Sequence, residues 1–273
     1  MSSDMAAFPP PVLVFDGNDP TGAAGLQGAA LTLAAQACLP LSVATAIYCG
    51  DTRGLEQVYE LDAEWVAEQA RPLLEDIPVA ALLVGDPGCP DSVGVIAEIA
   101  ADYAAPLVFA PGSLRDSPDP DEADDLVIAS IELLLPQTTV LVVDGTVAMR
   151  IVAAGDEDGD CGSPQEAARL LLGCGAEYVL LAEGRDAALQ SSDLLIGADG
   201  VIRKDPRPQP PTRVAGSLSV LAAALAAGLA RGLDCADAVG AAHGYMAATL
   251  ASAVRPGMGV ALADRFAPLR IGS

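Results

Sequence analysis

Basic residues are scarce in this chain. Fourteen lysines and arginines stand against 37 aspartates and glutamates in 273 residues, a formal net charge of −23. Nucleic acids and anionic membrane surfaces both call for a basic footprint, so neither is an expected partner. The shortage is deepest in lysine, where Lys204 stands alone, and this removes the point charge that many phosphate-handling sites use. His243 is the one histidine, and a single histidine does not build a common zinc site. The carboxylates of Asp156, Glu157, Asp158 and Asp160 alternate like a calcium loop, but the closing glutamate would fall at Ala167, so an exposed acidic loop is expected and no metal ligand is assigned. The six cysteines show no Cys-x-x-Cys spacing and read as reduced thiols. The dinucleotide fingerprint, the P-loop and the Gly-x-Ser-x-Gly nucleophile elbow are all missing. No apolar run reaches the length of a membrane span without Gly, Pro or charge, and residues 1–11 lack the features of a secretory signal. Cytoplasm is the expected location.

What is abundant is apolar surface. Hydrophobic residues make up 52% of the chain, enough for a large core. Val12 to Phe15 is a short β-branched and aromatic run, and Asp16-Gly17-Asn18-Asp19-Pro20 turns away from it. Thr21-Gly22-Ala23-Ala24-Gly25 then opens an Ala/Leu-rich helix that reads through to Cys38. A strand, a tight glycine loop and a helix in that order mark the carboxyl end of a parallel strand, where ligands bind in open α/β sheets. Glycines serving only helix-on-strand packing would give the same pattern.

Strand and helix signals alternate from there. Strands are expected at 42–48, 57–60, 80–84, 106–109, 140–143 and 177–181, with a hairpin of 193–196 and 201–203 around Asp199-Gly200. Helices are expected at 63–76, 91–103, 126–135, 146–154, 165–174, 217–230 and 235–254, and the Pro- and acid-rich stretch 110–125 reads as a loop. This spacing predicts a three-layer α/β/α domain with a mainly parallel sheet. It spans residues 12–266, between an N-terminal tail of 1–11 and a C-terminal tail of 267–273.

Three stretches resemble the hydroxymethylpyrimidine and phosphomethylpyrimidine kinases of thiamine biosynthesis, in the ribokinase-like superfamily. Gly17, Asp19, Pro20, Thr21, Gly22, Ala24, Gly25, Leu26 and Gln27 follow the family's opening loop. Ser42 to Ala46 and Asp51 to Leu55 resemble its second motif. Arg213 to Arg231 with Arg255 to Gly259 lies where the family has His-Gly-Thr-Gly-Cys and its closing glycine segment. The resemblance implies a ribokinase-like fold, ATP and Mg²⁺ as cofactors of an active enzyme, a small pyrimidine as substrate and a homodimer as one assembly. It places Gly17, Asp19, Gly22 and Gly50 on the substrate side and Arg213, Gly216 and Ser217 on the phosphate side. Ser217 stands at the family's Cys or Asp position near the reacting alcohol; its plain alternative is a helix N-cap. For Arg213, whose guanidinium suits phosphate oxygens, the alternative is a surface arginine.

The departures from the family pattern are many. A glycine becomes Val214, an aspartate becomes Ala29, and a glutamine becomes Gly50. The Lys-x-Gly-Met, Asp-Pro/Thr-Val, Thr-Pro-Asn-x-x-Glu and Lys-Gly-Gly signatures become Leu83 to Asp86, Ala110 to Gly112, Val143 to Ala148 and Ala182 to Gly184. Phosphoryl transfer needs phosphate donors, charge compensation and a group on the attacking hydroxyl. A serine hydroxyl is no base at neutral pH without an activator. The expectation is a divergent relative with phosphotransfer lost or impaired, a pseudokinase or small-molecule binder. An active ATP-dependent kinase is the alternative, and it would have to recruit Ser217, Asp144 or Asp86, with Arg213 near the phosphates.

Overall fold

The computed structural model describes residues 8–112, 120–155, 161–185, 191–210 and 212–271. The acidic stretch 156–160 lies outside them. In chain order the first half contains β1 (Pro11–Asn18), α1 (Gly25–Ala35), β2 (Leu39–Asp51), β3 (Gly54–Glu60), α2 (Ala63–Asp76), β4 (Ala81–Val84), α3 (Pro90–Asp102) and β5 (Leu107–Phe109). Next come α4 (Pro120–Ala129), a π turn (Ser130–Leu134), a 3-10 turn (Leu135–Gln137), β6 (Val140–Asp144), α5 (Gly145–Gly155), α6 (Pro164–Gly173) and β7 (Tyr178–Arg185). The hairpin β8 (Ser191–Gly197) and β9 (Gly200–Pro206) precedes β10 (Val214–Ala215), α7 (Ser217–Ala230), α8 (Cys235–Ala251), β11 (Ala261–Leu262) and α9 (Ala267–Ile271).

Among the described residues nine strands form one sheet in the order β3-β2-β1-β4-β5-β6-β7-β8-β9. From β2 to β7 the pairings are parallel, while β3 and the β8–β9 hairpin add antiparallel edges. The parallel strands are apolar on both faces because helices cover both. In β1, Leu13 and Phe15 enter the core beneath α2, α3, α5 and α6, whereas Val12 and Val14 pack toward α1, α7 and α8. Each such buried side chain contributes roughly 1.5–3 kcal/mol. This is the three-layer α/β/α architecture that the alternation of strands and helices predicts.

Most strands run longer than the sequence-based expectation, β1 to Asn18 and β2 over Leu39–Asp51 among them, and three further boundaries differ for identifiable reasons. Helix α1 stops at Ala35, short of Cys38, because Ala37 takes a positive φ of 58° and Cys38 N–H closes onto the Leu33 carbonyl. The chain is thereby reversed straight into β2. Helix α4 begins at Pro120, inside the expected 110–125 loop, since proline is well tolerated at a first helical position. Beyond Phe266 the chain forms the short helix α9, with Ala267 buried.

Candidate functional site

Polar residues follow several parallel strands at their carboxyl ends: Asp16 and Asp19 in or after β1, Asp86 after β4 and Asp144 at the end of β6. After β1, Asp19 organises the opening loop: its Oδ1 accepts from the Thr21 N–H and hydroxyl, each at 2.8 Å, and its Oδ2 accepts from the Ala24 N–H at 3.0 Å. Gly25 has φ +61°, and a Cβ there would lie 2.3 Å from the Gly17 carbonyl oxygen. The loop therefore folds back on the end of its own strand. Gly22 shares the left-handed conformation, with φ +68°.

The start of α7 packs against this loop. Gly216, at φ +74°, is the N-cap of α7, and a Cβ on it would sit 1.7 Å from the Ala23 carbonyl oxygen. Ser217 is thus the first helical residue and not the N-cap; the cap position goes to the one residue type that fits between β10 and the loop. Val214 and Ala215, where the resemblance places a glycine and a threonine, form β10 and pair in parallel with Ala261 and Leu262. Arg265 reinforces the junction from below. It is buried, donates to the Ala23 carbonyl at 2.7 Å and to Thr32 Oγ1 at 3.1 Å, and burial lowers its pKa.

Two cavities flank the small β10–β11 sheet. One, of about 480 Å³, is lined by Arg207, Gln209, Thr212, Arg213, Val214 and Ser217 among others. The second, of about 450 Å³, is bounded by Thr21, Gly50, Asp51, Thr52, Arg53 and Met258 among others. Here the Asp51–Leu55 motif meets the closing glycine segment: Thr52 Oγ1 accepts from Gly259 N–H at 3.1 Å, and Val260 N–H donates to the Thr52 carbonyl at 2.9 Å. The structure thus joins Arg213 and Ser217 in one cavity and puts Gly50 in the other; Asp19 and Gly22 shape the loop whose Ala23 packs against Gly216. Gly17 lies between the loop and a further cluster: its carbonyl oxygen closes on Gly25, and a Cβ on it would lie 2.3 Å from the Tyr48 ring.

A third cluster surrounds that ring. The Tyr48 hydroxyl donates to Asp86 Oδ2, Gly88 N–H donates to Asp86 Oδ1 at 2.9 Å, and Asp86 N–H donates to Asp16 Oδ1 at 3.0 Å. Burial, followed by the neighbouring Asp86 charge, pushes the Asp16 carboxyl up to about 7. Burial and the same carboxylates raise the Tyr48 phenol well above its usual range. Asp144 is likewise engaged, its Oδ1 accepting from the Val147 N–H at 2.9 Å in the first turn of α5.

A profile of the phosphomethylpyrimidine kinase family matches residues 19–264. The chain belongs to that family. A hydroxymethylpyrimidine/phosphomethylpyrimidine kinase of Rhizobium meliloti is 31% identical over 240 residues, covering 88% of this chain and 90% of the relative. The Streptomyces coelicolor counterpart is 30% identical over 258 residues, covering 94% of each. Among solved structures, the Staphylococcus aureus pyridoxal kinase in complex with pyridoxal superposes with a TM-score of 0.81 at 22% identity, over 96% of each chain. A Clostridium difficile phosphomethylpyrimidine kinase gives 0.70 at 23% identity, over 87% of this chain and 97% of its own. The resemblance carried by the opening loop is thereby borne out, and so is the ribokinase-like fold.

Within this family frame, sequence reasoning missed a buried polar group beside Ser217. Asp193 on β8 and Arg207 just past β9 have side chains only 0% and 7% exposed. Arg207 Nη1 lies 3.2 and 3.1 Å from the two Asp193 oxygens, and its Nη2 donates to Ser217 Oγ at 3.2 Å. His243 on α8 brings Nε2 to 3.2 Å from Asp193 Oδ2, close enough to pair when protonated but not aligned as a hydrogen bond. One signal was available in the sequence: an aspartate inside the apolar run Asp193-Leu194-Leu195-Ile196 demands a buried partner. Among the described residues no group of three or more His, Cys, Asp or Glu could hold a metal ion, and no helix is long and apolar enough to cross a membrane.

Proposed function

We propose that this chain is a cytoplasmic small-molecule binder of the phosphomethylpyrimidine kinase family whose phosphoryl transfer is lost or strongly impaired. The observation that carries the reading is that the three groups named to replace the family's alcohol-side residue, Ser217, Asp144 and Asp86, already hold hydrogen bonds within the fold. Ser217 accepts a hydrogen bond from a guanidinium, which draws electron density from the oxygen and opposes its use as a base. Asp144 closes the first turn of α5, and Asp86 holds the Tyr48 hydroxyl and the Gly88 N–H. The phosphate-side loop supports the same reading, since Val214 is tied into β10 and carries a branched side chain where a glycine would let an anion approach.

The substrate side argues for retained binding. The opening loop keeps its internal bonding around Asp19, and Thr21 and Gly50 line a cavity large enough for a pyrimidine. The free state of all six cysteines suits a reducing compartment. A second reading, the active kinase using ATP and Mg²⁺, draws on Arg207 and Arg213 lining the cavity at the start of α7. These cations and the first N–H groups of the helix fit a phosphate anion, and they are the residues that would hold the phosphates of ATP. Bound Mg²⁺ would neutralise charge on those phosphates.

Calorimetric titration with hydroxymethylpyrimidine and, separately, with MgATP tests the proposal. It predicts saturable binding of the pyrimidine that added MgATP leaves unchanged. Saturable MgATP binding with no heat from the pyrimidine would overturn it.

A further inference from the structure

Met258 is 90% exposed, the most open large apolar side chain among the described residues. The backbone that carries it is well anchored. Residues 255–261 form an arch closed at its base by the Val254–Leu262 bridge, whose two N–H to carbonyl bonds measure 2.9 and 2.8 Å. Thr52, between β2 and β3, holds the crown of the arch: its Oγ1 accepts from Gly259 N–H at 3.1 Å and its carbonyl from Val260 N–H at 2.9 Å. A Cβ on Gly259 would lie 1.8 Å from that carbonyl oxygen, and one on Gly257 2.7 Å from Thr52 Oγ1. Both neighbours of Met258 therefore rest on Thr52 through bare glycine backbone. The Met258 side chain is left in water at the wall of the cavity of about 450 Å³ that Thr21 and Gly50 also line. On the same wall, Arg53 and Asp51 bond to each other at 2.6 and 2.9 Å, so their charges offset one another.

We infer that Met258 is a ligand-binding residue, its thioether closing over the open face of a planar, uncharged heteroaromatic ring seated in this cavity. The inference rests on the reading of a retained substrate side given above, and it names the residue that sets ligand shape there. An apolar side chain standing in water gains free energy when a ring covers it. Methionine suits the task because it is unbranched and its polarizable sulfur makes favourable contacts with aromatic rings. An arch already fastened to Thr52 presents it without a backbone to be ordered on binding. The thioether brings no charge and no N–H or O–H donor, so it selects by shape and polarity and favours a flat neutral ring over a charged or branched ligand.

The test joins oxidative footprinting to calorimetry on the full-length protein, with hydroxymethylpyrimidine as the probe. Dilute hydrogen peroxide transfers one oxygen to a methionine sulfur, leaving the sulfoxide and water, and mass spectrometry reads the rate at each methionine. Met149 on α5, 38% exposed, is the control. With the pyrimidine at about ten times its Kd, oxidation of Met258 is expected to slow about tenfold, since only the unliganded fraction leaves the sulfur open, while Met149 keeps its rate. In titration calorimetry Met258→Ala and Met258→Gln are each expected to weaken the pyrimidine about tenfold, and Met258→Leu to bind within about twofold of the parent. Because the side chain stands in water, none of the three substitutions removes a core contact, and equal denaturation midpoints check this. Undiminished oxidation of Met258 in the liganded protein, or parent-like affinity in Met258→Ala, would overturn the inference while the parent's own binding kept the binder reading alive. A parent that does not bind the pyrimidine would overturn both, and turnover of MgATP would sink the reading of lost phosphotransfer without altering this one.

Discussion

Asp16 lies against Gly85 so closely that a Cβ on that glycine would come within 2.1 Å of its carboxylate. Out of water and beside Asp86, its pKa rises from 3.8 to about 7. An acid whose folded pKa exceeds its unfolded value holds its proton more tightly in the native state. Its ionisation therefore destabilises the fold progressively as pH rises from 3.8 to about 7, and adds nothing further above that window. Asp16→Asn is expected to remove this dependence. Denaturant unfolding of both proteins from pH 4 to 8 should show the variant gaining on the parent, with a slope of at most about 1.4 kcal/mol per pH unit, and then a constant difference. A difference that stays flat throughout would contradict the assignment. In the sequence Asp16 is one acid among 37; only the return of β4 beside β1 reveals what it faces.

At the scale of elements, the β8–β9 hairpin is more than an edge of the sheet. Asp193 and Arg207 fasten it to the start of α7, so it supports the candidate site from behind. Removing one partner leaves a buried charge without its counterion. Asp193→Ala is accordingly expected to lose roughly 3–5 kcal/mol, whereas the Asp193→Asn, Arg207→Gln pair loses much less. Chemical denaturation of the three proteins checks this, and equal losses would show that the ion pair does not fasten the hairpin. The hairpin itself was legible, because Asp199-Gly200 between two apolar runs is a strong turn signal. Its role was not. Arg207 follows a Lys-Asp-Pro sequence that reads as exposed chain end, and the contact to Ser217 spans a proline-rich connection whose path no periodicity encodes.

For the whole molecule, the alternation of strand and helix made the three-layer architecture legible. The β-branched core of β1, apolar on both faces, marked a central parallel strand. The opening loop was legible too, since a left-handed conformation at Gly22 and Gly25 follows from glycine at both positions. What escaped was the convergence of distant segments: Gly216 on Ala23, Thr52 on Gly259, Arg265 beneath the loop. Each of these contacts is a backbone approach or a single hydrogen bond across many residues of chain, and local patterns carry no trace of such pairings. The net result is a family scaffold whose opening loop is bonded around Asp19 and whose Ser217, Asp144 and Asp86 hold hydrogen bonds within the fold. The most direct measurement is the release of ADP by purified protein mixed with MgATP and hydroxymethylpyrimidine, with an enzyme-free control. The account predicts a rate indistinguishable from that control, and turnover within the usual range of about 1–10³ s⁻¹ would contradict it.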